Sequence, residues 1–162
     1  MAKKKPLTAY THAQMKRKVD EVFSKYIRYK AADANGYADC STCGQSLHVT
    51  KLHCGHFASR KHMAVRWEPD NVAPQCFACN IHRHGEQWLF GRNIDLLKPG
   101  RAADIMQRAK QGRSFKIGEL RDLYERYEQA AKEQAQGKEV AVDYKAKGAI
   151  RSTEGREVCS NG

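Results

Sequence analysis

The chain has 162 residues, 41% of them hydrophobic, which is enough for one domain with helical arms. Lys and Arg outnumber Asp and Glu by 29 to 18, and the net charge of +11 points to a polyanionic partner, nucleic acid first. No apolar run approaches the ~18 residues of a membrane span, and the basic start Met1-Ala-Lys-Lys-Lys-Pro6 has no apolar stretch behind it, so the expectation is neither a membrane nor a secreted protein.

Residues 1–38 read as a basic arm and helix, with a net +7 over residues 1–30. From His12 to Lys30, Met15, Val19, Val22, Phe23, Tyr26 and Ile27 recur at helical spacing, with Lys16, Arg17, Lys18, Lys25 and Arg28 mostly off that stripe. Those cations suit a DNA-facing surface and equally well an ordinary solvated face.

Residues 39–95 carry the chemistry. The stretch 31–79 is electrically neutral, and basic segments flank it, +7 before and +5 over 80–116, a layout that suits a site between phosphate-gripping surfaces. A chain held in a reducing cytoplasm uses clustered cysteines for metal rather than disulfides. Cys40-Ser-Thr-Cys43-Gly44 and Cys76-Phe-Ala-Cys79-Asn80 are separated by 32 residues, the spacing of two zinc knuckles that close a tetrahedral four-thiolate site. Such a zinc keeps no open position, so its role is structural. Between the knuckles a strand-like run, Ser46–Leu52, leads into His53 and His56, and on a strand His53 shares a face with Gly55 and His56 with Cys54. Asn80 opens what reads as a helix through Trp88 and Phe90, which would bring its amide towards the strand's histidines. Histidine suits a general base at neutral pH and an amide oxygen suits a hard cation. Trp67, Trp88, Phe90 and Tyr124 read as core rather than base-stacking residues, Cys54 as a small buried side chain, His12 and His48 as packing or surface groups, and His62 as a loop contact.

Residues 96–137 form a C-terminal helical region, with a helix from Ile117 to Gln136 whose apolar face is Leu120, Leu123, Tyr124, Tyr127 and Ala131. That face serves self-association or the cap of a monomer's core. Residues 138–162 lose periodicity and read as a flexible tail containing Cys159.

The central motifs, Leu52-His-Cys-Gly-His-Phe57, Asp70-Asn-Val-Ala-Pro-Gln-Cys76 and Cys79-Asn-Ile-His82 with Gly85 behind it, resemble those of the HNH (ββα-metal, His-Me finger) nucleases. Within that superfamily they are most similar to the lambdoid phage NinG/Rap recombination endonucleases, over about residues 40–86, and more distantly to phage endonuclease VII. The resemblance implies an α+β fold, a small zinc-anchored ββα-metal core flanked by N-terminal and C-terminal α-helices. It implies a divalent-metal-dependent endodeoxyribonuclease that acts on branched intermediates such as D-loops and Holliday junctions, leaving 5′-phosphate and 3′-hydroxyl ends. His56 matches the general base, Asn71 the Asn that ties the loop and orients that base, and Asn80 a ligand of the catalytic Mg²⁺ or Mn²⁺. His82 matches a histidine of the closest family, here a candidate ligand of the same cation.

Two departures stand out. Gly55 replaces the Asp that many HNH enzymes carry before the base, and His53 replaces the acidic residue NinG-like sequences carry three before it, so His53 is the candidate substitute ligand. Glu86 stands where the family commonly has Asn. Arg60, Lys61, Arg66, Arg83 and Arg92 are candidate phosphate contacts. The resemblance further implies a homodimer, host recombination proteins as partners and a host bacterial cytoplasm. Two alternatives stay open: a non-catalytic zinc-knuckle nucleic-acid binder, supported by the missing carboxylate, and a sequence-specific homing or restriction-type HNH nuclease.

Overall fold

In the computed structural model, residues 5–140 and Val142 are described. Helix α1, His12–Lys30, starts where Thr11 Oγ1 accepts the Gln14 N–H at 3.3 Å and Gln14 Oε1 accepts the Thr11 N–H at 2.9 Å, a reciprocal box that satisfies two of the helix's orphan donors. Its expected stripe, Met15 to Ile27, is buried throughout. What covers it is α4, Ile117–Ala135, which contributes Leu120, Leu123, Tyr124, Tyr127, Ala130 and Ala131 to the same core. Tyr127 lies edge-on to Phe23 at 4.8 Å and 5.3 Å from Tyr26, and its hydroxyl donates to the Trp67 carbonyl at 2.7 Å. The α4 face considered for self-association is therefore occupied within the chain, because α1 presents the complementary stripe.

Between these helices lie two antiparallel ribbons, so the architecture is mixed α+β. Strands β1 (Tyr37–Asp39) and β2 (Ser46–His48) bracket the first cysteine pair, with Ala38 opposite Leu47. Strands β3 (His53–His56) and β4 (Val72–Gln75) pair with His53 opposite Gln75 and His56 opposite Val72. The long connection 57–71 is covered by α2 (Gln87–Leu97) and by α3 (Arg101–Ala109), which falls in the region 96–137 expected to be helical, through Ala58, Val65, Phe90, Ile94, Ile105 and Ala109.

Three expectations are corrected. The helix projected from Asn80 through Phe90 is broken: Ala78–His82 is a single π-turn, and His84, Gly85 and Glu86 are all left-handed (φ 52°, 85° and 48°) before α2 begins. That restart turns Phe90, Gly91 and Ile94 inwards and leaves Trp88, expected in the core, 73% exposed; Trp67, Phe90 and Tyr124 are buried as expected. The third concerns the tail. At residue 140 the chain is still packed, since Val140 is buried and its carbonyl accepts from Tyr26 Oη and Gln134 Nε2. Apart from 138–140 and Val142, the segment read as a tail, Cys159 included, lies outside the described residues.

Candidate functional site

Cys40, Cys43, Cys76 and Cys79 place their sulfurs within 4.8 Å of one another. Four sulfurs at ~2.3 Å around a tetrahedral zinc sit roughly 3.8 Å apart, and Cys43 Sγ lies 3.8 Å from Cys76 Sγ. The donor set fits zinc. Gly44 takes φ +74° as the first knuckle turns, donating its N–H to the Cys40 carbonyl at 2.9 Å. The second knuckle turns back on its own sulfur, the Cys79 N–H pointing at Cys76 Sγ (3.4 Å). Burial works against the Cys40 thiolate, yet backbone N–H groups of Cys43, Cys76 and Thr42 bring its pKa down to about 7, while burial pushes the Cys79 thiol up. These residues would hold a zinc that pins the loop after β1 to the turn after β4. Among the described residues they are the one group of three or more His, Cys, Asp and Glu side chains close enough to share an ion.

Gln75 joins the two knuckles. Fully buried, it donates through Nε2 to Thr42 Oγ1 (2.7 Å) and to the Gly85 carbonyl (2.8 Å). A Cβ on residue 55 would lie 2.0 Å from Gln75 Oε1. Residue 55 is therefore glycine for a packing reason: the amide of Gln75 fills the space that a side chain there would need.

His56 ends β3 beside a cleft of ≈370 Å³ lined by Asp20, Ser24, Arg28, His53, Cys54, His56, Arg60 and Asn80, with Leu52 and Ile81. The site thus brings His53, His56, Asn80 and Arg60 together. The ring of His56 is bonded through Nε2 to the Arg66 carbonyl at 3.0 Å and packed by Phe23 at 6.4 Å between centroids. A carbonyl can only accept, so Nε2 carries the proton in the neutral ring and Nδ1 carries the lone pair. Burial lowers the His56 pKa below the ordinary imidazole value, and nearby Arg60 adds to this. The Arg66 carbonyl, Asp20 and the Cys54 carbonyl oppose the shift without reversing it. Asn71 is buried in the connection: Oδ1 accepts the Ala58 N–H at 2.7 Å, and Nδ2 donates to the Ala58 and Val65 carbonyls at 2.9 and 3.0 Å. It ties the loop that presents the Arg66 carbonyl.

Other candidates are elsewhere. His82 does not line the cleft; its exposed ring packs edge-on against Phe77 at 4.9 Å, because the wide π-turn sends residues 80 and 82 in different directions. Arg66, expected at a phosphate, is engaged by Asp20: Nη2 to Oδ2 at 2.6 Å and Nε to Oδ1 at 3.1 Å. Lys61, Arg83 and Arg92 are exposed, Arg83 3.6 Å from Glu86 and Arg92 over the Trp88 ring. His62, in the 57–71 connection, bonds the Ala109 carbonyl, and His12 bonds the Phe115 carbonyl, a packing role as expected. Cys54 lies within the cleft wall, where burial pushes its thiol up to about 12.

Asp20 is the residue that reading the sequence missed. It is the one carboxylate lining the cleft, and besides Arg66 it accepts from Trp67 Nε1 at 2.7 Å. Its signal was faint: residues 1–30 hold only two acids, Asp20 and Glu21, and Asp20 follows the buried Val19.

Residues 1–139 match the family model described as the bacteriophage lambda NinG protein. No curated protein and no solved structure matches the chain.

Proposed function

The chain belongs to the family of the bacteriophage lambda NinG protein, and from that premise we propose that it is a divalent-metal-dependent DNA endonuclease of the HNH type acting on branched recombination intermediates. The observation that supports this best is the cleft itself: a largely buried imidazole, bonded through Nε2 to a backbone carbonyl, lines the same space as Asn80, His53 and Arg60.

In this reading Arg60 neutralises the phosphate that enters the cleft. His56 takes the proton of a water through Nδ1 as the water's oxygen bonds to phosphorus and the P–O3′ bond breaks. The new ends are a 5′-phosphate and a 3′-hydroxyl. Asn80 and His53 are the donors that would hold Mg²⁺ or Mn²⁺, which supplies positive charge at the phosphate and the leaving 3′ oxygen. An imidazole in place of a carboxylate favours Mn²⁺ over Mg²⁺. The four-cysteine zinc and Gln75 keep the Asn80 turn in register with β3.

One observation favours a second reading, a zinc-knuckle binder without catalysis: the oxygens of Asp20 are already taken by Arg66 and Trp67, which leaves no carboxylate for a cation. Cleavage of labelled branched and linear DNA, with zinc measured on the same samples, separates the two. The nuclease reading expects cutting with Mn²⁺ or Mg²⁺, preferring the branched substrate, and none by zinc-loaded His56→Ala that still binds DNA. Tight binding with no cutting under any divalent cation would replace it with the binder.

A further inference from the structure

Phe77 and Ile81 sit on the π-turn that carries Asn80 and remain 51% and 47% exposed. Single exposed apolar residues need no explanation. This pair differs in position and in rigidity. Ile81 lines the cleft itself, and the Phe77 ring is held between two imidazoles, His53 at 5.7 Å and His82 edge-on at 4.9 Å. Of these two ring partners His53 also lines the cleft, whereas His82 does not reach it. A half-exposed aromatic ring, contacted by two imidazoles beside a cleft of ≈370 Å³ that an arginine lines, has the properties of a stacking surface for a nucleobase. The surrounding charge complements the same occupant: Arg60 is exposed within the cleft and Arg83, two positions beyond Ile81, is 56% exposed.

We propose that Phe77, braced by His53 and His82 and flanked by Ile81, stacks a nucleobase adjacent to the phosphate in the cleft and thereby selects DNA in which a base is already unstacked, as at a branch. In a linear duplex each base must first be pulled from its neighbours, which opposes binding; at a branch that penalty is largely absent. The proposal rests on the nuclease reading for the place of the phosphate and gives that reading a source of structure selectivity.

The test uses the full chain in a His56→Ala background, so that binding is read without cutting. The probes are a three-way junction with 2-aminopurine at the branch and a matched linear duplex. With Phe77 present, binding should quench 2-aminopurine in the junction. Phe77→Leu, apolar but ringless, should abolish the quench and weaken junction binding roughly tenfold, leaving duplex binding unchanged. Phe77→Trp should restore both. His82→Ala, which removes a brace but leaves the ring, should reduce the quench. A Leu variant that quenches and discriminates like its parent overturns the proposal. So does equal weakening on both DNAs, or a change in sedimentation that marks the patch as a contact between copies of this chain. A protein that quenches yet never cuts in the wild-type form would defeat the nuclease reading alone.

Discussion

Replacing Asp20 by Asn tests whether α1 holds His56, the proposed general base, in place. The carboxylate accepts two bonds from Arg66, at 2.6 and 3.1 Å, and one from Trp67 Nε1 at 2.7 Å. The carbonyl of Arg66 is the hydrogen-bond partner of His56 Nε2, so the path from α1 to the base has two links. The side chains of Arg66 and Asp20 are 16% and 18% exposed. Water reaches the pair, so its loss stays below the ~3–5 kcal/mol of a fully buried ion pair; it exceeds the ~0–1 kcal/mol of a surface pair because both oxygens are used. About 2 kcal/mol is the resulting expectation for Asp20→Asn, which keeps an acceptor for Trp67. Asp20→Ala should lose about 1 kcal/mol more. Denaturant unfolding at saturating zinc measures both. Catalysis should suffer separately, since a misplacement of ~1 Å in a reacting group lowers a rate by about a hundredfold. Single-turnover cleavage by folded Asp20→Asn should fall ten- to a hundredfold while DNA affinity holds. Arg66→Gln should do the same, and the double variant should be little worse than either single one. An Asp20→Asn protein as stable as the wild type and cutting at its rate would refute the coupling.

The lowered pKa of His56 fixes the sign of two pH effects. Its neutral form persists below the ordinary imidazole range, so cleavage should decline on the acid side at a pH below ~6.5. In that window the unfolded chain binds the extra proton and the folded one does not, so stability should rise with pH up to ~6.5, a slope that His56→Gln should flatten in pH-dependent denaturation. Gly55→Ala would set a Cβ 2.0 Å from Gln75 Oε1, and Gln75 cannot yield without breaking its bonds to Thr42 and Gly85. Destabilisation of ~1–3 kcal/mol and faster zinc release to a chelator are expected, and a stable, zinc-retaining Gly55→Ala would contradict the packing argument. Glu86→Asn should go the other way: residue 86 has φ 48°, a conformation Asn tolerates better than Glu, and the partner lost is the exposed Arg83 at 3.6 Å. A gain of ~0.5 kcal/mol, seen as a melting point higher by roughly 1–2 °C, is expected.

The Glu86 case also marks where the sequence was legible. The Asn that the resemblance implies after Gly85 had no explanation from spacing alone; three consecutive left-handed residues, of which Asn tolerates one well, supply it. They also explain why periodicity failed at this point, since a helical wheel carried through 84–86 assigns Trp88 to the wrong side. Local patterns were readable because their causes are local. Paired cysteines at two-residue spacing make a knuckle whatever surrounds them, and the stripes of α1 and α4 record one face each. The partner of each face was not readable, and neither was Asp20, whose bond to Arg66 spans 46 positions. Such a pair leaves no periodicity and no spacing motif.

The same long-range packing resolves the two roles weighed for the polar side of α1. Its cations were set against either DNA or solvent, yet part of that side does neither. Asp20, Ser24 and Arg28, four residues apart in turn, line the cleft. Arg28 Nη1 donates to the Val49 carbonyl at 2.7 Å and the Leu52 carbonyl at 3.4 Å, clamping the approach to β3, while Asp20 clamps the loop that follows it. Residues 49, 52 and 66 lie on either side of the His53–His56 strand, so α1 grips both flanks of the strand that bears His56. The four cysteines, holding zinc, would fix the turn that brings Asn80 to the cleft. A cleft assembled from two clamps with different chemistry should fail in two distinguishable ways. Chelation should release the Asn80 wall first, while substitutions on α1 should loosen the His56 wall with zinc still bound.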